Sequence, residues 1–258
     1  MNYQHVRLER VGATGVVTID SPPVNALHPD VAVDIERAAR EIEKDTTYRS
    51  MIVTGAGRCF VAGGDIRYFT EIDRKGAADM ALRVQRMQNV LFHLRVPVIA
   101  AVNGHALGGG LELLLSCDFA VAEEQAKIGV TEVQLGLIPG AGGTQMLFSA
   151  LPSGTAKRLL FTGDRIDATE AARLGLVDQV CPQDTSLEVS LDIASRINLA
   201  GPLAVEAAKR SANHCLRHSL DPGHRREVDI FSALFETEDH REGITAFLER
   251  RSPNYGRR

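Results

Sequence analysis

One acidic residue stands out because of the apolar residues around it. Glu112 lies in the segment GGGLELLLSC, and leucine occupies positions 107, 111, 113, 114 and 115. These leucines cover nearly every direction around a helix, so we expect Glu112 to be buried rather than on a half-exposed polar face. Burial of a carboxylate is costly and raises its pKa. A carboxyl group of this kind is suited to proton transfer near neutral pH.

Two glycine-containing segments are candidates for supplying backbone N–H groups to an anion. Gly108–Gly110 opens the helix that carries Glu112, and Gly63–Asp65 follows a predicted strand end. Glycine permits close approach to the backbone, and the first N–H groups of a helix have no partner within it. The segments therefore suit an anion site or an oxyanion hole. A tight strand-to-helix turn explains the triple glycine equally well, and Asp65 is suited to capping a helix that begins at Ile66.

A second acid, Glu132, becomes informative only through Glu112. It lies in VTEVQLGLIPGAGGTQ, in a loop or short helix before a glycine-rich turn. Alone, an acid in such a place is usually a solvated surface residue. As a pair, the two acids suggest general acid–base catalysis.

Other catalytic patterns are missing from the sequence. It has no GxSxG motif, no HExxH motif and no His, Asp and Glu cluster with metal-ligand spacing. The triple glycine matches neither a GxxxxGK[ST] phosphate loop nor a GxGxxG dinucleotide motif. We interpret His105 as a packing or hydrogen-bonding residue. A Ser–His–Asp hydrolase therefore has no support.

Hydrophobic periodicity indicates an α/β chain. Residues 5–20 are predicted to form two short strands around a turn, and further strands are predicted at SMIVTG, Pro97–Val102 and Val177–Val180. Apolar spacing predicts helices over Pro29–Lys44 and Ala77–Leu94. Beyond residue 144 the chain is mainly helical, and we expect helices over 185–199, 202–218, 223–236 and 238–250.

The composition is that of an ordinary globular protein. The chain has 258 residues, of which 44% are hydrophobic and 24% are charged, and its formal net charge is −4. This charge argues against nucleic acid as the main partner, because phosphate binding needs a positive surface. The N-terminus, MNYQHVRLER, is polar and carries no apolar signal-sequence core, and the longest apolar stretches are too short to span a membrane. The four cysteines, at positions 59, 117, 181 and 215, form no CxxC pair, so we expect a cytoplasmic protein with reduced thiols.

Together these segments resemble the enoyl-CoA hydratase/isomerase family, also called the crotonase family. The resemblance implies an α/β crotonase-like fold: a spiral of ββα units followed by a C-terminal helical trimerisation region. We place the spiral core at residues 1–195 and the helical region at 196–258. A homotrimer, or a hexamer of two trimers, is also implied. The matching segments, in the family's order, are CFVAGGDI, PVIAAVNGHALGGGLELLLSCD, VTEVQLGLIPGAGGTQ, LFTGDRIDATEAARLGLVDQV and FETEDHREGITAFLERRSPNY.

The resemblance also implies acyl-CoA thioester substrates and a set of catalytic residues. The backbone N–H groups of Gly64 and Gly109 match the family's oxyanion hole, and Glu112 and Glu132 match the two acids of its hydratases. Glu112 would activate the water that attacks Cβ, and Glu132 would deliver a proton to Cα, although the roles are exchangeable. The implied reaction is reversible hydration of a 2-enoyl-CoA to a 3-hydroxyacyl-CoA in acyl-CoA metabolism, with no metal or redox cofactor.

Contacts with coenzyme A are expected from the same resemblance. The segment around Gly64 would line the adenine and pantetheine path, with Arg67 near phosphate. Phe247 and Arg250 would complete the site of a neighbouring subunit, although a core aromatic and a solvated arginine are simpler interpretations. The expected substrate-binding residues are Ala62, Gly64, Asp65, Ile66, Arg67, Gly108, Phe247 and Arg250.

Three residues depart from the family's pattern. Gly64 stands where many hydratases have Ala, which keeps the N–H group but adds backbone freedom. Thr131 precedes the second acid where Pro is usual, and Met146 follows GGTQ where Arg is common. None of these differences removes a catalytic group, and they leave the acyl group of the substrate open.

Several reactions share this fold and oxyanion hole, so alternatives stay open. A double-bond isomerase needs only one well-placed acid, and a decarboxylase or a thioester hydrolase also fits the motifs. A non-catalytic RNA-binding module is opposed by the net charge of −4 and the lack of a Lys/Arg stripe. Hydration ranks first because both acids are present.

Overall fold

Two β-sheets form the framework of the protein. The computed structural model describes residues 3–215 and 228–258. In spatial order, the larger sheet contains β1 (Val6–Val11), β2 (Thr14–Ile19), β3 (Ser50–Gly55), β5 (Val98–Val102), β7 (Phe119–Glu123) and β10 (Gln179–Cys181). The smaller sheet contains β4 (Cys59–Val61), β6 (His105–Leu107), β8 (Lys127–Gly129) and β9 (Ile166–Asp167).

The connections between these strands repeat. β1–β2 and β8–β9 are antiparallel pairs, and the other pairs are parallel. From β3 to β8, each strand of the larger sheet is followed by a strand of the smaller sheet and then by helix. This is the predicted spiral of strand–strand–helix units, and the α/β fold class is confirmed.

Helices make up most of the remainder of the described chain. The first half contains α1 (Pro29–Lys44), α2 (Ile66–Phe69), α3 (Arg74–His93), α4 (Gly109–Leu115) and a short 3₁₀ helix, Glu132–Leu135. The second half contains α5 (Gly143–Ala150), α6 (Ser153–Thr162), α7 (Ala168–Leu174), α8 (Ser186–Leu199), α9 (Pro202–Cys215), α10 (residues 228–234) and α11 (Glu238–Glu249).

The larger sheet separates two hydrophobic cores. All residues of β3 and β5 are buried, which explains why both strands read as continuous apolar runs. One face of this sheet packs with α1, α3, α4 and the smaller sheet, and the other face packs with α8. The strands are thus fixed on both sides, and the loops at their ends are held in place.

Element boundaries differ from the predictions at a few positions. Helix α3 begins at Arg74 rather than Ala77, because the Asp73 carboxylate accepts a hydrogen bond from Gly76 N and caps it. β10 lies one to two residues beyond the predicted strand, because Val177 packs into the main core. The predicted helices over 202–218 and 223–236 extend into residues 216–227, which lie outside the described part of the chain.

An ion pair between the buried Lys209 and the partly exposed Asp118 joins α9 to the larger sheet. Lys209 of α9 places its Nζ 2.7 Å from Asp118 Oδ2 and donates to the carbonyls of Leu91 and Val96. The same Asp118 oxygen accepts from Val98 N at 2.7 Å. The pair therefore connects α9 to the ends of α3, β5 and β7.

Within the described residues, no helix has the length and apolar character needed to cross a membrane.

Candidate active site

Helix α4 places the Glu112 side chain inside the protein. Leu111 and Leu113 on either side are fully buried, and Glu112 itself is only 3% exposed. The start of α4 lies against β4 so closely that a Cβ on Gly110 would lie 2.1 Å from the Val61 carbonyl oxygen. Only glycine fits there, so this residue fixes the depth at which the helix packs. The expected burial of Glu112 is confirmed. The alternative, that Glu112 lies on the polar face of a half-exposed helix, is wrong.

Two backbone N–H groups hold the Glu112 carboxylate. Its Oε1 accepts from Ala141 N at 2.9 Å and from Gly143 N at 2.8 Å. The loop that carries these donors is attached to α3, because Gln85 Nε2 donates to the Gly140 carbonyl at 3.0 Å. These donors were not predicted from the residue types; the sole sign of them in the sequence is the glycine run in IPGAGGTQ.

The environment raises the pKa of Glu112 to about 7. Burial is the main cause, since it disfavours the charged form. The nearby charge of Glu132 raises the pKa further, whereas the hydrogen bonds from Gly143 and Ala141 stabilise the carboxylate and lower it. The balance leaves Glu112 able to take up or release a proton near neutral pH.

The 3₁₀ helix brings Glu132 to the start of α4. A Cβ on Gly108 would lie 2.7 Å from Glu132 Oε1, so the carboxylate lies directly against this glycine. Glu132 Oε2 is buried and accepts no hydrogen bond from the described residues. Burial is the main cause that raises the pKa of Glu132. Gln134 holds the 3₁₀ helix in place through a 2.9 Å bond from its Nε2 to the Gly163 carbonyl.

The two glycines predicted to form an oxyanion hole are neighbours. Gly109 is the first residue of α4, whose start has no side-chain cap, so its N–H has no acceptor within the helix. Gly64 forms an isolated bridge with Leu27 through the bond from Leu27 N to Gly63 O, which leaves its own N–H unused in that bridge. A Cβ on Gly109 would lie 3.9 Å from Gly64 N. The two N–H groups therefore lie on adjacent segments.

The predicted coenzyme A residues fall into two separate groups. Ala62 and Asp65 lie on the loop that carries Gly64, and Ile66 and Arg67 begin α2. Asp65 caps this helix by accepting from Arg67 N and Tyr68 N. Arg250 directly follows α11 and is exposed. In the described chain, no hydrogen bond or ion pair joins Arg250 to the Gly64 loop. Phe247 lies in α11, and its side chain is outside what the structure describes.

These groups define what the site can do. Two acids with raised pKa values can exchange protons with a bound molecule, and two N–H groups can stabilise a negative charge on its oxygen. Within residues 3–215 and 228–258, no cluster of three or more His, Cys, Asp and Glu side chains is arranged to hold a metal ion. The described groups fit general acid–base chemistry on a carbonyl compound.

Replacement of Glu112 by Gln tests its raised pKa. A folded-state pKa of about 7 against an ordinary 4.5 means that the folded protein binds a proton which the unfolded chain releases. The stability linked to this proton is present below pH 4.5 and is lost as the pH rises through about 7. Gln mimics the protonated acid, so Glu112→Gln is expected to be more stable than the wild type at pH 8, by at most about 3 kcal/mol.

Urea unfolding at pH 5 and pH 8 measures this difference. Glu124→Gln is the matched control, because Glu124 is exposed and lies outside the site. Its effect on the free energy of unfolding should be the same at both pH values. Equal stability of the wild type and Glu112→Gln at pH 8 would show that Glu112 ionises without the cost that its burial implies.

The sequence matches known proteins over nearly its whole length. A family profile described as enoyl-CoA hydratase/isomerase matches residues 9–258. The chain is 40% identical over 257 residues to a crotonyl-CoA hydratase of Syntrophomonas wolfei, covering 99% of each protein. It is 39% identical over 253 residues to a short-chain-enoyl-CoA hydratase of Clostridium acetobutylicum, covering 97% of each.

Solved structures agree with these sequence matches. The crystal structure of an enoyl-CoA hydratase from Bacillus anthracis superposes with a TM-score of 0.96 at 34% identity, covering 99% of this chain and 100% of that one. An enoyl-CoA hydratase subunit from Geobacillus kaustophilus gives a TM-score of 0.93 at 36% identity, covering 99% of each chain. The chain therefore belongs to the enoyl-CoA hydratase/isomerase family, as its motifs indicated.

Proposed function

We propose that this protein is an enoyl-CoA hydratase, which adds water across the 2,3 double bond of a 2-enoyl-CoA to give a 3-hydroxyacyl-CoA. The observation that carries the proposal is the pair of acids, Glu112 and Glu132, beside the N–H groups of Gly64 and Gly109. Relatives named crotonyl-CoA hydratase and short-chain-enoyl-CoA hydratase support the same reaction. Both names point to a short acyl group as the first substrate to test.

The oxyanion hole acts on the thioester carbonyl. Addition of a nucleophile at Cβ moves electron density through Cα to the thioester oxygen, giving an enolate-like transition state. The N–H groups of Gly64 and Gly109 donate to that oxygen and are held in position by β4, α4 and the Leu27 bridge. A preorganised donor of this kind contributes about 2.7–4 kcal/mol to transition-state stabilisation.

The two acids handle the protons of the added water. Glu112, as a carboxylate, accepts a proton from water while the water oxygen bonds to Cβ. Glu132, as an acid, gives a proton to Cα as the C–C double bond is lost. The product gains one OH and one H, and a proton passing from Glu112 to Glu132 restores both groups. A pKa of about 7 for Glu112 suits both directions of a reversible reaction.

Water addition leaves the overall oxidation state of the substrate unchanged, so the reaction needs no redox cofactor. We propose that the two acids and the two N–H groups carry it out without a metal ion. Coenzyme A enters only as part of the substrate. Gly64 lies next to Gly109, and Gly108 lies against Glu132. We propose that Gly108 and the segment from Ala62 to Arg67 bind pantetheine and phosphate. We keep the prediction of a cytoplasmic enzyme of acyl-CoA metabolism.

We further propose a homotrimer, or a hexamer of two trimers. The C-terminal helices expose large apolar side chains that have no function in a solvated monomer: Phe231, Phe235, Ile244 and Leu248 are 61%, 52%, 52% and 74% exposed. Contact with a second copy would cover them. Such contact would also bring Phe247 and Arg250 to a neighbouring subunit's site.

Sedimentation equilibrium tests the assembly. We expect a particle of three or six times the chain mass of 28.0 kDa at micromolar concentration. Phe235→Glu should shift the distribution toward monomer, because it places a charge on a surface that is apolar in the proposed assembly. A wild-type monomer at these concentrations would contradict the assembly.

Hydration of crotonyl-CoA tests the reaction itself. The wild type should turn over this substrate, and Glu112→Gln and Glu132→Gln should each lower kcat at least about a hundredfold, the lower range for loss of an acid–base group. Glu124→Gln is the control and should keep wild-type activity. A wild type that binds CoA, is inert on 2-enoyl thioesters and converts 3-enoyl-CoA would instead identify an isomerase.

Gly108→Ala tests the position of Glu132. The residue has φ +51°, and its added methyl group would lie 2.7 Å from Glu132 Oε1. We expect kcat to fall about a hundredfold, as for a 1 Å displacement of a catalytic group. Gly12→Ala is the matched control, since Gly12 has φ +61° with no atom within 4 Å of the added methyl group. Both variants should lose stability, because each places a side chain at a positive φ. Only Gly108→Ala should also lose activity. Equal activity of the two variants would contradict the position of Glu132 against Gly108.

A further inference from the structure

The segment that follows Gly64 contains an aromatic side chain that the mechanism has not used. Phe69 is the last residue of α2, and its ring is half-buried. A methyl group on Gly64 would lie 2.7 Å from Cζ of this ring, and 3.4 and 3.5 Å from Cε1 and Cε2. Carbon atoms in ordinary contact are about 3.5–4.0 Å apart. The tip of the Phe69 ring therefore occupies the place of a side chain at position 64.

The backbone at Gly64 does not itself require glycine. Its φ is outside the left-handed region, unlike the φ of +124° at Gly63, and Gly64 pairs with Leu27 in an ordinary β-bridge. An L-residue is compatible with this conformation. The absence of a side chain at position 64 is therefore explained by the neighbouring ring, and each residue leaves room for the other.

Helix α2 depends on few other contacts. None of its residues is buried, and it consists of a single turn. Asp65 caps its start, Phe69 N donates to the Asp65 carbonyl, and the Tyr68 ring packs edge-on against His28 with centroids 4.6 Å apart. Of the two aromatic residues, Tyr68 attaches α2 to the start of α1. Phe69 instead contacts the segment that carries the oxyanion N–H.

We propose that Phe69 is a positioning residue for the oxyanion hole: its ring holds the Gly64 N–H in place beside Gly109. The inference rests on the proposed function, because it assigns a role to the Gly64 N–H in that reaction. A displaced donor weakens stabilisation of the charge on the thioester oxygen, which develops only in the transition state. The consequence is a loss in kcat with little change in KM.

A double-mutant cycle tests the pairing. Gly64→Ala should lower kcat for crotonyl-CoA about tenfold or more, because the methyl group and the ring cannot both keep their positions. Phe69→Leu removes the ring tip, so Gly64→Ala in that background should change kcat less than about threefold. Tyr68→Leu is the matched control: it removes an aromatic ring from the same helical turn, and the loss caused by Gly64→Ala should remain about tenfold.

A second measurement reports on the oxyanion hole directly. Acetoacetyl-CoA ionises to an enolate whose negative charge is shared between its ketone and thioester oxygens, and enolate absorbance measures its binding. Its dissociation constant should rise with the loss of kcat in Gly64→Ala and recover in the Phe69→Leu background. The KM for crotonyl-CoA should stay within about threefold of the wild type.

The outcomes separate the two proposals. The positioning role would be overturned if Gly64→Ala lowered kcat equally in the wild-type and Phe69→Leu backgrounds. It would also be overturned if Gly64→Ala left both kcat and enolate binding unchanged. If the wild type fails to hydrate any 2-enoyl-CoA, the proposed function fails. The enolate measurement then still decides whether Phe69 positions the Gly64 N–H.

Discussion

The burial of one carboxyl group in an apolar helix constrains the whole site. Glu112 lies within the main hydrophobic core, so its charge must be compensated there. The compensation comes from two backbone N–H groups of the loop before α5, which in turn is attached to α3 through Gln85. Helices distant in sequence are thereby fixed relative to α4. The acid has a raised pKa because it is buried, and it stays buried because the loop supplies donors.

The second acid and the oxyanion hole use the same helix. Glu132 lies against Gly108, one residue before α4, and Gly109 is the first residue of that helix. The Gly64 loop reaches Gly109 because β4 lies beside β6 in the smaller sheet. Close packing of backbone on backbone, permitted by residues such as Gly110, therefore brings the four groups together. The larger sheet serves mainly to hold the ends of these segments still.

Much of this arrangement could be predicted from the sequence. The apolar run around Glu112 predicted its burial. Helical spacing predicted α1, and short apolar runs predicted β3 and β5, in each case to within one residue. The donors to Glu112 could not be predicted, because a backbone N–H leaves no trace in residue type. The contact of Phe69 with Gly64 was missed for a related reason. Glycine at that position indicated backbone freedom, whereas the structure explains it by a side chain five residues away.

The ion pair between Lys209 and Asp118 has a consequence for the division of the chain. Residues 196–258 read as a separate helical region, and that boundary stays a prediction. Yet Lys209 pairs with Asp118, which lies in the turn between α4, the helix that bears Glu112, and the start of β7. Loss of Asp118 would leave the buried Lys209 ammonium without its counterion, which is destabilising. The helical region therefore supplies, through Lys209, the counterion of a carboxylate in the spiral core. The spiral core and the helical region are expected to melt in one transition.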